Sequence, residues 1–243
     1  MRLIAYLLLL LTPIATNALT PHTAHYQLSI NGFKIADEVR TLHKLADHYF
    51  YTANAKTSGV AALVKNYTIS ASSTFVINEQ GFDSTNYQIM EQEDNKVVEN
   101  YAIDINSQNQ NVISMLTKTQ PKVQTWSAPK SGNMIDPLGL FLAIGYDLGK
   151  QKNLSYQVAN GKNIETQNYQ VLGDQVIQIN AQPSKATQVS RLDSQHQMLA
   201  YFVDTYQNLP VFIKQQKHGK EYVYELVGVE FAKQGFDKLQ VTF

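Results

Sequence analysis

The chain has 243 residues, of which 44% are hydrophobic, and it has no cysteine and a formal net charge of zero. This composition is too apolar for a disordered tail, and the missing cysteines exclude disulfide frameworks, thiolate catalysis and cysteine-ligated metal centres. With 20 basic against 20 acidic residues, the chain lacks the positive charge expected of a nucleic-acid-binding protein, so no nucleic-acid partner is predicted.

The N-terminus has the pattern of a cleavable export signal. A positive start precedes an unbroken apolar run over residues 3–11, and Ala18 is a small residue suited to a signal peptidase. This run is about half of the roughly 20 apolar residues that cross a bilayer, so no stable membrane anchor is expected after cleavage. We predict a signal peptide over residues 1–18 and a single β-rich domain over residues 19–243, located in the periplasm of a Gram-negative bacterium.

The mature chain opens with a pattern typical of a β-hairpin. Tyr26, Leu28 and Ile30 alternate with polar residues, and Asn31-Gly32 follows directly. Asn-Gly between two such runs favours a type I′ turn, because both central residues of that turn need a positive φ. The second run is predicted to place its apolar residues on one face: Phe33, Ile35 and Val39.

Alternating runs continue to the C-terminus. They cover residues 67–77, 82–93, 97–105, 112–117, 123–126, 169–172, 176–179, 199–203, 211–214, 222–231 and 239–243. The predicted fold is therefore mainly β, with a single large curved antiparallel sheet of about a dozen strands. This sheet is predicted to be a half-barrel or barrel-like, with one or two short helices covering its concave side.

Two apolar segments lack the strand alternation. Residues 58–64 are one of them, and residues 136–148 are the other. In the second segment Asp136 can cap a helix and Pro137 suits the first helical position. A helix that is apolar nearly all round must be covered on most sides, so it is either a core element or a lid over an apolar cavity.

These two segments supply the predicted lining of a ligand cavity. The four lining residues are Leu63, Leu138, Phe141 and Leu142. No catalytic residue, metal site or cofactor is predicted, since the sequence has no zinc-protease, phosphate-loop or Gly-x-Ser-x-Gly motif. An enzyme would need at least two titratable groups to converge in one cleft, and the candidates are His43, His48, Glu91, Glu93, Asp136 and Asp147.

Four short stretches carry a resemblance to a known family. They are residues 26–36 with Asn31-Gly32-Phe33-Lys34-Ile35-Ala36, residues 58–63, residues 136–140, and residues 208–211 with Asn208-Leu209-Pro210-Val211. In order and spacing the chain resembles the bacterial domain-of-unknown-function 3108 family of exported envelope proteins. The resemblance implies an envelope location and a β-rich fold, and it carries over no active site. By looser analogy the layout is similar to the half-barrels of periplasmic lipoprotein carriers.

The leading functional hypothesis is a periplasmic non-enzymatic protein of the cell envelope that binds or carries a hydrophobic ligand, such as a lipid or acyl chain. The first alternative is a structural or assembly factor of the envelope with a filled core. An outer-membrane β-barrel is a further alternative, because alternating apolar positions lead to an aromatic last residue, Phe243. An unrecognised hydrolase is the last.

Overall fold

The computed structural model describes residues 18–106, 111–118, 123–150, 153–191, 197–217, 219–232 and 235–243. The predicted signal peptide lies outside the described residues except for Ala18. The described residues form sixteen strands: β1 (His22–Ile30), β2 (Phe33–Leu45), β3 (His48–Thr57), β4 (Tyr67–Asn78), β5 (Gly81–Glu93), β6 (Lys96–Asn106), β7 (Asn111–Lys118), β8 (Val123–Pro129), β9 (Ser155–Ala159), β10 (Ile164–Ile179), β11 (Gln182–Arg191), β12 (Gln197–Val203), β13 (Leu209–Lys217), β14 (Lys220–Phe231), β15 (Phe236–Lys238) and β16 (Val241–Thr242). Their two α-helices are α1 (Val60–Val64) and α2 (Leu140–Leu148).

All sixteen strands belong to one sheet. Fourteen of them follow in the order β16-β10-β11-β12-β13-β14-β1-β2-β3-β4-β5-β6-β7-β8, while β15 pairs with β14 and β9 with β10. The strand pairs are antiparallel. The predicted mainly β fold with a single large antiparallel sheet is confirmed, and its strands are more numerous than predicted.

The contacts of α2 show how strongly the sheet curves. This helix touches both β5 and β13, which are six steps apart in the strand order. In a flat sheet, six steps of about 4.8 Å would separate those strands by roughly 29 Å, whereas a helix is only about 10–12 Å across. The sheet therefore bends around α2, and the fold is barrel-like.

The antiparallel pairing gives this barrel two distinct ends. The end that holds the β4–β5 and β12–β13 turns also holds α2, and we call it the closed end. The opposite end carries the β1–β2, β5–β6 and β13–β14 turns, together with α1 between β3 and β4, and we call it the open end. The predicted Asn31-Gly32 turn lies there, with φ values of 49° and 81° that fit a type I′ hairpin.

Two details of the predicted strands are wrong. The inward side chains of β2 are Ala36, Glu38, Arg40 and Leu42, so the apolar Val39 lies on the other face and Phe33 is 77% exposed. The runs predicted over residues 169–172 and 176–179 belong to the single strand β10, whose pairing with β11 shifts at Gly173. A bulge of this kind interrupts the alternation without ending the strand.

The second helix is shorter than predicted. It begins at Leu140 rather than at residue 136, and Pro137 lies in the turn before it. Asp136 caps that turn, because its Oδ1 accepts the backbone N–H groups of Leu138 and Gly139, each at 2.9 Å. The expectation that this helix is covered on most sides is confirmed, since six of its nine residues are buried.

Gly145 marks the closest approach of α2 to the sheet. A Cβ atom added at Gly145 would overlap the backbone carbonyl oxygen of Asn208, just before β13. A Cβ atom added at Gly139 would lie 3.2 Å from the ring of Phe82 on β5. The helix is therefore wedged between two walls of the barrel, with no room for a larger residue at Gly145.

We expect Gly145→Ala to lower the free energy of unfolding by about 2 kcal/mol, even though alanine favours helices, because the backbone of Asn208 must move to make room. Gly235→Ala is the matched control, since an added Cβ there meets no atom within 4 Å, and it should change stability by less than about 0.5 kcal/mol. Urea unfolding followed by circular dichroism measures both. Equal midpoints for the two variants would contradict the wedged position of α2.

Candidate functional site

Two adjoining cavities lie on the concave face of the sheet. The larger has a volume of about 440 Å³ and the smaller of about 300 Å³. Gln215 and Lys217 on β13 line both cavities, and Lys217 is exposed at the open end. The two cavities therefore meet at β13 and reach solvent there. Their volumes lie in the range of small-molecule sites, about 300–1,000 Å³.

The strand register brings the walls of the larger cavity together. Leu28 on β1 lies opposite Ala36 on β2 and Tyr224 on β14, and Ala55 on β3 lies opposite Ile69 on β4. Directly opposed residues of neighbouring strands point to the same face of a sheet. The full lining is Leu28, Ile30, Ile35, Ala36, Ala55, Lys56, Thr57, Tyr67, Ile69, Glu91, Gln215, Lys217, Tyr222 and Tyr224.

Aliphatic side chains in this lining leave apolar surface uncovered. Leu28, Ile30, Ile35 and Ile69 are only half-buried although they line the interior. In a close-packed core such side chains lose nearly all contact with water. The concave face at the open end is therefore not filled by its own side chains, and an apolar molecule could cover them.

The smaller cavity lies between α2 and the strands that face it. Its apolar wall includes Leu140 and Phe141 of α2 together with Val158 and Met198. Its polar wall is a connected group in which the Tyr169 hydroxyl donates to Gln167 Oε1 at 2.6 Å, Gln167 donates to Glu165, and Arg191 lies 3.6 Å from Glu165. A ligand here would meet one apolar and one polar side.

The four predicted lining residues occupy three different environments. Phe141 is half-buried and lines the smaller cavity. Leu138 and Leu142 are 8% and 4% exposed and belong to the core around α2, outside the lining of either cavity. Leu63 is 86% exposed on α1. The structure therefore brings Leu138, Phe141 and Leu142 together but does not place Leu63 with them, because α1 projects outward instead of folding over the concave side.

Glu38 and Arg40 form an ion pair on the concave face. The Arg40 guanidinium donates from Nη2 to Glu38 Oε2 at 2.9 Å, and each side chain is only 9% exposed. The guanidinium lies 4.7 Å from the ring centre of Tyr26 and 5.6 Å from that of Tyr224, which lines the larger cavity. The ion pair therefore forms a charged layer directly next to the larger cavity.

The surroundings of Arg40 keep its guanidinium charged. Burial disfavours the charge on Arg40, but the Glu38 carboxylate and the hydroxyl groups of Tyr51 and Tyr26 together outweigh that effect and raise the pKa of the guanidinium. Burial also raises the pKa of the nearby Tyr51 to about 12, so its hydroxyl stays neutral. Arg40 Nε is buried and has no acceptor among the described residues.

The six acid–base candidates do not share one cleft among the described residues. Only Glu91 lines either of the two cavities, and His43 is exposed on β2. Each of the other five candidates has its polar contacts with different neighbours. His48 contacts Asp47, Glu91 contacts Tyr67, Glu93 contacts Lys65, Asp136 contacts Ser73 and Ser84, and Asp147 contacts Tyr156. These six candidates therefore supply no pair of groups for acid–base catalysis at the two cavities.

Metal-ligating residues are also dispersed. His22 packs inside the barrel against Tyr51 and Phe231, whereas His25 lies against Phe236 on the other face of β1. Across the part of the chain that the structure describes, no group of three or more His, Asp or Glu residues could hold a metal ion. In the same part, no helix has the length and apolar character needed to cross a bilayer.

Sequence reasoning missed most of the residues that line the cavities. Tyr222 and Tyr224 lie in the alternating run over residues 222–231, and no sequence motif marks Gln215 or Lys217. The alternation along β1 did place Leu28 and Ile30 on one face, and both line the larger cavity. The sequence does not reveal which distant strands pair, and this pairing decides which side chains line the same cavity.

Comparisons with known proteins agree with this architecture. The family described as "Protein of unknown function (DUF3108)" matches residues 25–226. The fold is similar to the crystal structure of a beta-barrel-like protein of domain of unknown function DUF1849 from Brucella abortus, with 12% sequence identity and a TM-score of 0.57. That match covers 89% of this chain and 99% of the other. No curated protein matches the chain. At this identity the likeness shows a shared β-barrel-like fold alone.

Proposed function

The chain belongs to the DUF3108 family, whose function is unknown, and we propose its role from the geometry of its own interior. In this proposal it is a non-enzymatic protein of the bacterial periplasm that binds or carries a hydrophobic ligand, such as a lipid or an acyl chain. The observation that carries the proposal is the joined pair of cavities on the concave face, with their half-buried aliphatic walls.

The lining favours an elongated amphiphile over a compact polar ligand. Aliphatic side chains form the wall on β1, β2 and β4, and tyrosines border it on β14. Lys217 lies where the joined space meets solvent, so a ligand with an apolar chain and a polar end would find both environments. The acidic Glu91 in this lining already accepts a hydrogen bond from Tyr67.

The alternative role, a structural envelope factor with a filled interior, predicts a different result. Such a protein would be purified without an apolar guest. Native mass spectrometry and lipid extraction of the protein from a Gram-negative host distinguish the two roles, because the carrier proposal expects a bound amphiphile of lipid mass. An empty protein that also fails to bind a fluorescent fatty acid would overturn the carrier proposal.

The sharpest variant fills the larger cavity. Ala55 lines that cavity between Glu38 and Ile69 in the strand register, so we expect Ala55→Phe to occupy the ligand's space and weaken cis-parinaric acid binding by about tenfold or more. Titration by fluorescence in solution measures the loss. The probe is a fatty acid, so it tests the acyl chain and the carboxylate together.

Asn54→Phe is the control for this substitution. Asn54 is the exposed neighbour of Ala55 on the opposite face of β3, so the same added side chain lies outside the barrel. The Asn54→Phe variant should bind cis-parinaric acid with the same affinity as the unmodified protein. Equal loss of binding in both variants would place the probe outside the larger cavity.

A further inference from the structure

The open end of the barrel carries a cluster of exposed apolar side chains. We call it the apolar tip, and its members are Phe33 at 77% exposure, Val60 at 77%, Leu63 at 86% and Val64 at 85%. The backbone N–H of Ser58 donates to the carbonyl oxygen of Ile35 at 3.0 Å, which ties the α1 segment to the start of β2. The tip therefore brings the β1–β2 turn and α1 together beside the larger cavity.

The local structure keeps these side chains in solvent. Gly59 has a φ of 61°, a conformation that glycine adopts at little cost, and it turns the chain into α1. None of the five residues of α1 is buried, and the helix has no charged residue. Concentrated exposed apolar side chains of this kind mark interaction surfaces rather than ordinary protein surface.

Basic residues surround the apolar tip. Five lysines lie in or next to the turns and the α1 segment of the open end: Lys34, Lys65, Lys96, Lys217 and Lys220. Lys34 pairs with Asp37 at 2.7 Å and Lys65 with Glu93 at 2.8 Å, and these exposed pairs are weak in water. The other three lysines have no ion-pair partner among the described residues. Asp94 is the remaining acid of the β5–β6 turn, and Glu221 beside the β13–β14 turn pairs with Lys214 at 2.5 Å. Lysines therefore outnumber acidic residues around these turns.

This arrangement matches a lipid surface better than a protein partner. A stable protein interface covers about 800 Å² on each side and uses roughly 20–30 residues, whereas the tip offers four apolar side chains on a projecting turn and a short helix. A bilayer presents an apolar layer beneath a layer of phosphates, and short apolar segments flanked by lysines bind at that boundary.

We propose that the apolar tip docks the open end of the barrel reversibly on a membrane that contains anionic phospholipids. In the docked state Val60, Leu63 and Val64 enter the boundary between headgroups and acyl chains, and the surrounding lysines face the phosphates. The docking surface lies beside the larger cavity but does not require that cavity to be occupied.

Flotation with vesicles tests this proposal on the full mature chain. We expect binding to vesicles of phosphatidylethanolamine and phosphatidylglycerol, weaker binding to phosphatidylcholine alone, and a loss of about tenfold or more in partitioning for Leu63→Asp. Val176→Asp is the matched control, because Val176 is also apolar and 65% exposed but lies on β10 toward the closed end. It should partition like the unmodified protein.

Substitution of lysines tests the electrostatic part separately. Lys96→Gln and Lys220→Gln should each weaken binding to the anionic vesicles by about fivefold, and added salt should reduce that difference. Neither lysine lines either of the two cavities described above, so fatty acid binding in solution should be unchanged in both variants and in Leu63→Asp. A failure of the docking proposal is thereby distinguishable from a failure of the carrier proposal.

Two results would overturn the docking proposal. One is equal partitioning of Leu63→Asp and the unmodified protein into the anionic vesicles, which includes the case in which neither protein partitions. The other is a dimer of the unmodified protein, detected by light scattering without vesicles, that is monomeric in the Leu63→Asp variant. In that case vesicles would bind neither protein. That second result would assign the tip to self-association.

Discussion

Arg40→Met is expected to lower the free energy of unfolding by about 3–5 kcal/mol, because it leaves the Glu38 carboxylate buried without its partner. The two side chains are each 9% exposed and joined at 2.9 Å, and no other cation is paired with Glu38 among the described residues. The ring contacts of Arg40 with Tyr26 and Tyr224 would be lost as well. Chemical denaturation with circular dichroism measures the change.

The double replacement Glu38→Met with Arg40→Met is the informative control. It removes both charges and keeps the volume of the pair, so stability should return to within about 1 kcal/mol of the unmodified protein or exceed it. The cost of the single substitution would then belong to the unpaired charge rather than to lost packing. A double variant as unstable as Arg40→Met would show that the packing of the guanidinium against the two tyrosines is what matters.

The same ion pair shows where prediction from sequence reached its limit. Period-two alternation correctly placed Tyr26 and Leu28 on the concave face of β1, because a half-buried strand needs one apolar face. On β2 that rule selected Phe33, Ile35 and Val39, and Ile35 does line the larger cavity. Farther along the strand, however, Glu38 and Arg40 face inward and Val39 does not. Two opposite charges two residues apart on one strand can form an ion pair inside a barrel, and a hydrophobicity pattern does not reveal this pairing.

Prediction from sequence was reliable for turns, because a turn depends on the residues that form it. Asn31-Gly32 predicts a type I′ turn from the φ values that these residues tolerate, and the structure confirms it. The cavities are not local, since Leu28, Ile69 and Gln215 come from distant parts of the chain and meet only through the strand order. The exposed α1 is likewise held by the turn at Gly59 and by hydrogen bonds at its two ends, from Ser58 to Ile35 and from Thr57 to Lys65.

Asp136 joins the closed end of the barrel to α2. Its Oδ2 accepts the hydroxyls of Ser73 on β4 at 2.5 Å and Ser84 on β5 at 2.6 Å. Its Oδ1 accepts the backbone N–H groups of Leu138 and Gly139 in the turn before α2, and its own N–H donates to Ser84 Oγ at 3.0 Å. One fully buried carboxyl therefore fixes the entry to α2 against two neighbouring strands.

We expect Asp136→Ala to lower the free energy of unfolding by about 3 kcal/mol, because four buried donors lose their acceptor at once. Asp136→Asn should cost only about 1 kcal/mol. Its amide oxygen can still accept the two backbone N–H groups, and its amide nitrogen can donate to a serine hydroxyl that rotates to accept. Urea unfolding of the two variants measures the difference, and equal costs would contradict the assigned role of these hydrogen bonds.

The pH dependence of stability gives an independent check on Asp136. Burial raises the pKa of this carboxyl above its usual 3.8, although the hydrogen bonds from Ser73, Ser84 and the backbone of Gly139 and Leu138 oppose the rise. The folded state therefore favours the protonated form, so this group's contribution to stability declines as pH rises from about 3.8 through the raised pKa. Asp136→Asn does not titrate, so its stability relative to the unmodified protein should improve across that window. A difference between the two proteins that stays constant with pH would mean that the carboxyl keeps an ordinary pKa in the folded state.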